Sequence, residues 1–107
     1  MAYAPPQDFI DRFGPHEAQQ LSDIGASRTG HPAETVLLTY LGDASAEIDA
    51  YLVGRVAIPM ASTPAILRVY CCDIARYRMQ FTAPDERAKG AYDAAISYLR
   101  RVATGDI

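Results

Sequence analysis

Apolar residues recur at three- and four-residue spacing in the middle of this chain, and that spacing constrains the fold more than any other feature. A period near 3.6 residues buries one face of a helix, whereas a half-buried strand needs strict alternation. No alternating run is long enough for a strand beyond a short extended piece at 55–60, so the chain is predicted to be all-α. The predicted inward face of the longest periodic stretch consists of Val36, Leu37, Tyr40, Leu41, Ala44, Ile48, Tyr51 and Leu52.

Proline and glycine divide the chain into about five helices. Three long helices are predicted at about 32–54, 63–82 and 84–103, packed as a small bundle. Thr63 is predicted to cap the second of them and Pro64 to occupy its first position. The predicted inner face of this helix consists of Ile66, Leu67, Tyr70, Ile74, Tyr77 and Phe81.

Two short helices are predicted before the long ones. Pro5 and Pro6 open the first, and Gly14 is placed to end it as a C-cap. The second is predicted from Pro15 to Ser22. Between the first two long helices, Pro59 and Pro64 disfavour helical backbone in the residues that precede them, so 55–63 is predicted to be extended.

Length and composition exclude several classes of protein. At 107 residues the chain has the size of one domain, covering 1–107. No apolar run approaches the roughly 18 residues of a membrane span, and the N-terminus lacks a secretory signal, so we expect synthesis in the cytosol and no membrane partner. A net charge of -3 provides no general attraction to nucleic acid.

The charges are divided unevenly along the chain. Residues 1–50 contain eight acids and two bases, and residues 51–107 contain eight bases and five acids, so the halves carry -6 and +3. If the halves form different faces of the folded subunit, the asymmetry suits head-to-tail packing of identical copies. An ordinary solvated surface is the alternative.

No residue pattern indicates catalysis, a cofactor or a metal. Cys71 and Cys72 are adjacent in the sequence, and adjacent cysteines on a helix cannot form an unstrained disulfide with each other. The chain also has no CxxC motif, so the two cysteines are predicted to be buried, reduced thiols. His16 and His31 are predicted surface histidines. The serines and glycines form no nucleophile elbow and no phosphate-binding loop, and the chain is therefore not expected to be an enzyme.

Two acids and three bases are the candidate residues for a subunit interface. Asp43 and Glu47 lie four residues apart on one helical face. The simplest interpretation is that this face is solvated, and the second is that it forms a row of salt bridges between subunits. Arg55, with Arg100 or Arg101, is the candidate partner on the next subunit. A further alternative places the acids on the wall of a channel. Separately, Asp73 lies in a mostly apolar helix and is expected to bind Arg76 or a base from another helix.

Three stretches of the sequence carry a family resemblance. They are 3–14 (YAPPQDFIDRFG), 43–52 (DASAEIDAYL) followed by Gly54-Arg55, and Ile58-Pro59 with 72–78 (CDIARYR). They resemble a family of small Mu-like phage and prophage proteins catalogued as a domain of unknown function. The resemblance runs from residue 3 to about 104, and it departs from the family at Pro5, where members have Thr or Ser.

The resemblance implies a structural virion protein, because the family is encoded among head and tail morphogenesis genes and is similar in size and helical layout to connectors. It implies a head-to-tail connector subunit at the virion neck, assembled in the bacterial host cytoplasm as a closed ring of about twelve copies. The implied partners are other copies, the portal and tail-completion or stopper proteins, with DNA only passing through the channel. The alternative is a small helical DNA-binding regulator, which needs a basic recognition helix.

Overall fold

The computed structural model describes residues 3–23, 29–56, 62–80 and 83–105. In these ranges the backbone forms helices and no strand, apart from one isolated bridge between Val53 and Val56. The all-α prediction is therefore confirmed. The helices are α1 (Pro6–Phe13), α2 (Pro15–Ser22), α3 (Glu34–Leu52), α4 (Ala65–Met79) and α5 (Glu86–Thr104).

Gly14 forms the corner between α1 and α2. Its φ of +91° suits glycine, and its N–H donates to the carbonyl of Ile10 at 2.8 Å, which closes the last turn of α1. Pro6 and Pro15 start the two helices, where a missing N–H costs nothing. The predicted bounds of both short helices are confirmed.

The caps of α4 and α5 differ from each other. Asp85 precedes α5, and its side chain accepts a hydrogen bond from the Ala88 N–H at 2.7 Å, as an N-cap should. Thr63 was predicted to cap α4, and this prediction is wrong: the helix begins at Ala65, Pro64 occupies the N-cap position, and no side chain caps the helix. The backbone of Pro64 is extended, with ψ at 142°, so the helix cannot include it.

The predicted extended segment after α3 begins instead with a tight turn. Gly54 has a φ of +84°, and the N–H groups of Arg55 and Val56 donate to the Leu52 carbonyl at 2.9 and 3.2 Å. The chain therefore turns back on the end of α3 before it continues. The prediction for 57–61 lies outside the described residues.

α3 and α4 form the centre of the fold, since each of them contacts all four other helices. α4 is the more deeply buried in its middle. Its five consecutive residues 71–75 are all buried. Ile66 was predicted to be buried and is 38% exposed, because the buried face follows Leu67, Cys71 and Ile74 and Ile66 lies about 100° from Leu67 around the axis. Phe81 lies outside the described residues.

The core lies between α4 and the helices around it. Every residue predicted to face inward on α3 is buried or packs against the core. None of the described helices is both long enough and apolar enough to span a membrane. The large apolar side chains that are fully buried are Phe9, Leu37, Leu41, Ile48, Ile74 and Leu99.

Candidate subunit interface

Three ion pairs attach the N-terminal helices to α4. Two partners on α4 are arginines and one is an aspartate, so the charges alternate along the contact. The guanidinium of Arg76 also lies 4.6 Å from the centre of the Phe13 ring, a cation–π contact. The pairs are Asp8–Arg68 at 2.6 Å, Arg12–Asp73 at 3.3 Å and Glu17–Arg76 at 2.5 Å.

Asp73 is the one buried carboxylate of α4. Burial raises its pKa, and the neighbouring charge of Arg12 lowers it without cancelling that effect. Of the two partners predicted, the base from another helix is the correct one, because Arg12 of α1 makes the bond. Asp73 therefore helps to hold α1 in place and is not a catalytic candidate.

Glu47 joins the three long helices inside the subunit. Its Oε1 accepts from Arg78 of α4 at 2.7 Å, and its Oε2 accepts from the Tyr92 hydroxyl of α5 at 2.8 Å. Burial and the Glu47 carboxylate together raise the pKa of Tyr92 to about 12, and the ring stacks on Tyr77 at 4.1 Å. Both oxygens of Glu47 thus have partners within the chain, which sequence reasoning missed because Arg78 and Tyr92 are 31 and 45 residues away.

Asp43 lies one turn before Glu47 and has a different environment. Its side chain is exposed, and no hydrogen bond or ion pair joins it to another of the described residues. The two acids that share a helical face in the sequence therefore separate in the structure. Glu47 is part of the subunit's own framework, and Asp43 is available to a partner.

The three candidate bases lie at one end of the molecule. Arg55, Arg100 and Arg101 are all exposed. The guanidinium of Arg55 lies against Gly105, so close that a Cβ built on that glycine would be 2.6 Å from its Nη2. This places a positive group at the C-terminus of α5, where the helix dipole is negative. Arg100 and Arg101 flank a shallow cleft with Tyr51 near the same end.

The opposite charges of the two halves are largely neutralised by ion pairs within the fold. Of the five ion pairs in the described residues, four join the first half of the chain to α4. The fourth is Glu47–Arg78. The halves therefore do not form two opposed charged faces, and the acids and bases left exposed are fewer than the sequence suggests.

The thiols and histidines occupy the environments predicted for them. Cys71 and Cys72 are free and buried, and burial raises the pKa of Cys72 to about 12. His16 and His31 are exposed. Over the ranges that the structure describes, no three His, Cys, Asp or Glu side chains are grouped so that they could hold a metal ion.

Comparisons with known proteins support the family resemblance along the whole chain. A sequence model of the family described as Bacteriophage Mu, Gp36 matches residues 3–107. The Mu-like prophage FluMu protein gp36 of Haemophilus influenzae is 32% identical over 105 residues, covering 98% of this chain and 73% of that protein. Gene product J of Escherichia phage Mu is 33% identical over 107 residues, covering 98% of this chain and 74% of that protein.

Proposed function

This chain belongs to the bacteriophage Mu Gp36 family, and from that premise we propose that it is a structural protein of a tailed phage or prophage virion. Its role is that of a head-to-tail connector, a subunit that completes the head below the portal. About twelve copies form a closed ring at the neck, following the symmetry of the portal. The portal lies on one side of the ring, a tail-completion or stopper protein on the other, and DNA passes through the centre.

The observation that carries the proposal is the separation of exposed acid from exposed base on one subunit. Asp43 lies nine residues before the end of α3, roughly 13 Å along the axis from the end at which Arg55 turns toward α5. These groups cannot neutralise each other within one chain, but they can do so between neighbours. Such exposed pairs contribute little energy singly, and their effect is to orient the subunits.

The alternative, a small DNA-binding regulator, has less support. Its recognition helix would be α4, which contains three arginines. α4 is buried on most of its surface, and Arg68, Arg76 and Arg78 are each paired with an acid of another helix. A recognition helix needs its basic side chains free for bases and phosphates.

The test is the mass of the purified chain alone and with the phage portal. A ring of about twelve copies on the portal, together with presence of the chain in purified particles, is the expected result. His31→Ala and Cys72→Ser should assemble like the parent, because neither residue has a chemical role in this proposal. A chain that never joins the portal and is absent from particles would contradict the proposal.

Asp43→Lys distinguishes the possible roles of the exposed acid. The variant leaves Glu47 intact, so the subunit should fold. If Asp43 orients neighbours, the variant fails to enter the neck, because like charges then meet around the ring. If Asp43 lines the channel, the variant assembles but packages or ejects DNA poorly. Normal particles with normal infectivity would show that Asp43 has neither role and is an ordinary solvated residue.

A further inference from the structure

We propose that the turn after α3 on one copy of this chain binds in a proline-lined cleft at the opposite end of α3 on the next copy. The inference deepens the proposed function and rests on the ring described there. The turn, residues 53–56, is called the valine turn here. The residues that line the second surface, the proline cleft, include Pro5, Pro6, Ile10, Pro32, Glu34 and Leu37.

The valine turn holds two neighbouring apolar side chains in solvent. Val53 is 70% exposed and Val56 is 41% exposed, and a β-bridge pairs the two residues. The positive φ of Gly54 and two hydrogen bonds to the carbonyl of the buried Leu52 fix the turn on the end of α3. Surface turns are ordinarily polar, so two exposed valines held side by side indicate a contact with another molecule.

The proline cleft is a rigid, mostly apolar recess at the start of α3. Pro5 and Pro6 come from the start of α1, Pro32 precedes α3, and Leu37 lies in the first turn of α3. Proline rings have a fixed φ and no backbone N–H, so their surface needs no polar partner. The cleft has a volume of about 310 Å³, which is more than two valine side chains occupy. It is therefore preorganised for an apolar side chain.

A single chain cannot bring its own turn to its own cleft. Leu37 and Val53 are 16 residues apart, which corresponds to roughly 24 Å along the helix axis. The turn of a second copy can reach the cleft, and every copy has one turn and one cleft. The contact joins two different surfaces and is therefore heterologous, and with a fixed rotation it closes into a ring.

The charges at the cleft are acidic. Glu34 is exposed and is the charged member among the described residues that line the cleft. Gln7 also lines the cleft, and its amide donates to the carboxylate of Asp11 at 2.8 Å, so a second acid lies next to the lining. A basic partner suits this surface better than an acidic one.

The charges at the valine turn are predominantly basic. Arg55, between the two valines, is exposed, and so are Arg100 and Arg101 near the same end of the molecule. The acid one turn before Val53 is Asp49, whose carboxylate accepts the Tyr3 hydroxyl. Docking the turn in the cleft brings Arg55 toward Glu34, whereas two valine turns packed together would bring Arg55 against its own copy. The occupant of the cleft is accordingly the turn of a second copy.

The first test is a disulfide between the two surfaces of full-length chains. The variant Val53→Cys/Gln7→Cys replaces one exposed residue of the turn and one exposed residue of the cleft. A disulfide needs its two Cα atoms within about 7 Å, so the link can form only between copies. Rings assembled on the portal and oxidised at pH 8 should give a ladder of linked multimers on a denaturing gel, which reduction collapses to single chains.

Two controls accompany the cross-link. Val53→Cys/Gln20→Cys moves the second thiol to an exposed position on α2, outside the cleft, and should remain unlinked. A mixture of Val53→Cys chains with Gln7→Cys chains should give linked pairs and nothing longer, because each chain then has one reactive surface. Cys71 and Cys72 are buried and should not contribute.

The second test changes the turn without adding a thiol. Val53→Asp places a carboxylate in the apolar cleft beside Glu34 and should reduce ring formation on the portal about ten-fold or more, measured by native mass spectrometry. Val53→Ile keeps an apolar side chain and should match the parent. Because Val53 is exposed, both variants should keep the circular dichroism and melting temperature of the parent.

Two results would overturn the inference. Rings that form with Val53→Cys/Gln7→Cys but give no more linked chains than the Gln20 control would show that the turn does not lie in the cleft. Val53→Asp rings formed as readily as the parent's would show that the turn is not used. Failure of the parent chain to form rings on the portal would contradict the proposed function instead, and it is seen before any variant is made.

Discussion

The two N-terminal helices and the long helices α3 and α5 are attached to α4 by different combinations of forces. α3 and α5 pack on α4 mainly through apolar side chains, with Ile48, Ile74 and Leu99 fully buried. α1 and α2 contribute a smaller apolar contact, with Phe9 and Ala18 fully buried and Ile10, Phe13 and Leu21 partly buried, and they add three ion pairs to α4. Apolar packing depends little on pH or on moderate concentrations of simple salt, whereas exposed and half-buried ion pairs are sensitive to both.

This difference indicates that the molecule has two parts of unequal stability. The firm part consists of α3, α4 and α5, and the releasable part consists of α1 and α2, which can detach from α4. The long helices supply most of the buried apolar area, so they should unfold together. α1 lies beside Cys72, since Asp8 and Arg12 line the same cleft as this buried thiol. Reactivity of the buried thiols is therefore a measure of whether α1 is in place.

Ile48→Asp should have the largest effect, because it breaks the firm part. Ile48 is fully buried, and an unpaired carboxylate there costs several kcal/mol, comparable with the stability of a small domain. Loss of the helical circular dichroism signal at room temperature is expected. Ala46→Asp, exposed on the same helix, should melt close to the parent. A folded Ile48→Asp variant would mean that the apolar core is not what holds the long helices together.

Phe9→Ala should release α1 and α2 while the long helices remain folded. Removal of a fully buried aromatic ring costs about 3–5 kcal/mol, and here the loss falls on the contact between α1 and the core. Alkylation of the cysteines at pH 8 should accelerate strongly, with most of the helical signal kept. The control is Asp11→Ala, an exposed change on the same helix. Complete unfolding of Phe9→Ala would show that the two parts are one cooperative unit.

Two arginines of α4 allow the ion pairs of the two parts to be compared directly. The Arg76 side chain is 13% exposed, pairs with Glu17 and lies over Phe13, so Arg76→Ala should cost about 1–2 kcal/mol. Arg78 is 41% exposed and pairs with Glu47 in the firm part, so Arg78→Ala should cost less than about 1 kcal/mol. Urea unfolding of both variants measures the difference. Equal losses would remove the distinction between ion pairing in the two regions.

Asp73→Asn should have the smallest effect, and the size of this effect on the free energy of unfolding should depend on pH. Because burial raises the folded pKa of Asp73 above 3.8, its contribution to stability is fully present below pH 3.8 and is lost as pH rises through the folded value. Asparagine does not ionise, so the free energy of unfolding of the parent relative to the variant should decline from pH 3 to pH 7. A difference that grows with pH would mean that the charge of Arg12 lowers the pKa of Asp73 by more than burial raises it.

Local features of the fold were predictable from the sequence. Gly14, Pro15 and Asp85 end or start helices through groups a few residues away, so their roles can be recognised without knowing the fold. Thr63 and Ile66 were misassigned at the first turn of α4. At a helix end the capping residue and the helical phase depend on where the backbone enters the helix, and proline permits more than one entry.

The candidate interface was only partly predictable. The sequence shows that Asp43 and Glu47 share a helical face, since that depends on spacing alone. Which acid has a partner depends on the helices that lie beside that face.

The sequence by itself determined the number, order and type of the helices, the buried face of α3 and the family to which the chain belongs. These follow from interactions within one or two helical turns and from residue identity along the chain. Only the tertiary structure decided that α3 and α4 each contact every other helix, that Arg12 is the partner of Asp73, and that Glu47 is bound inside the subunit while Asp43 is not. Ion-pair partners and burial all round a helix depend on how separate helices pack, and spacing within a single helix does not specify that packing.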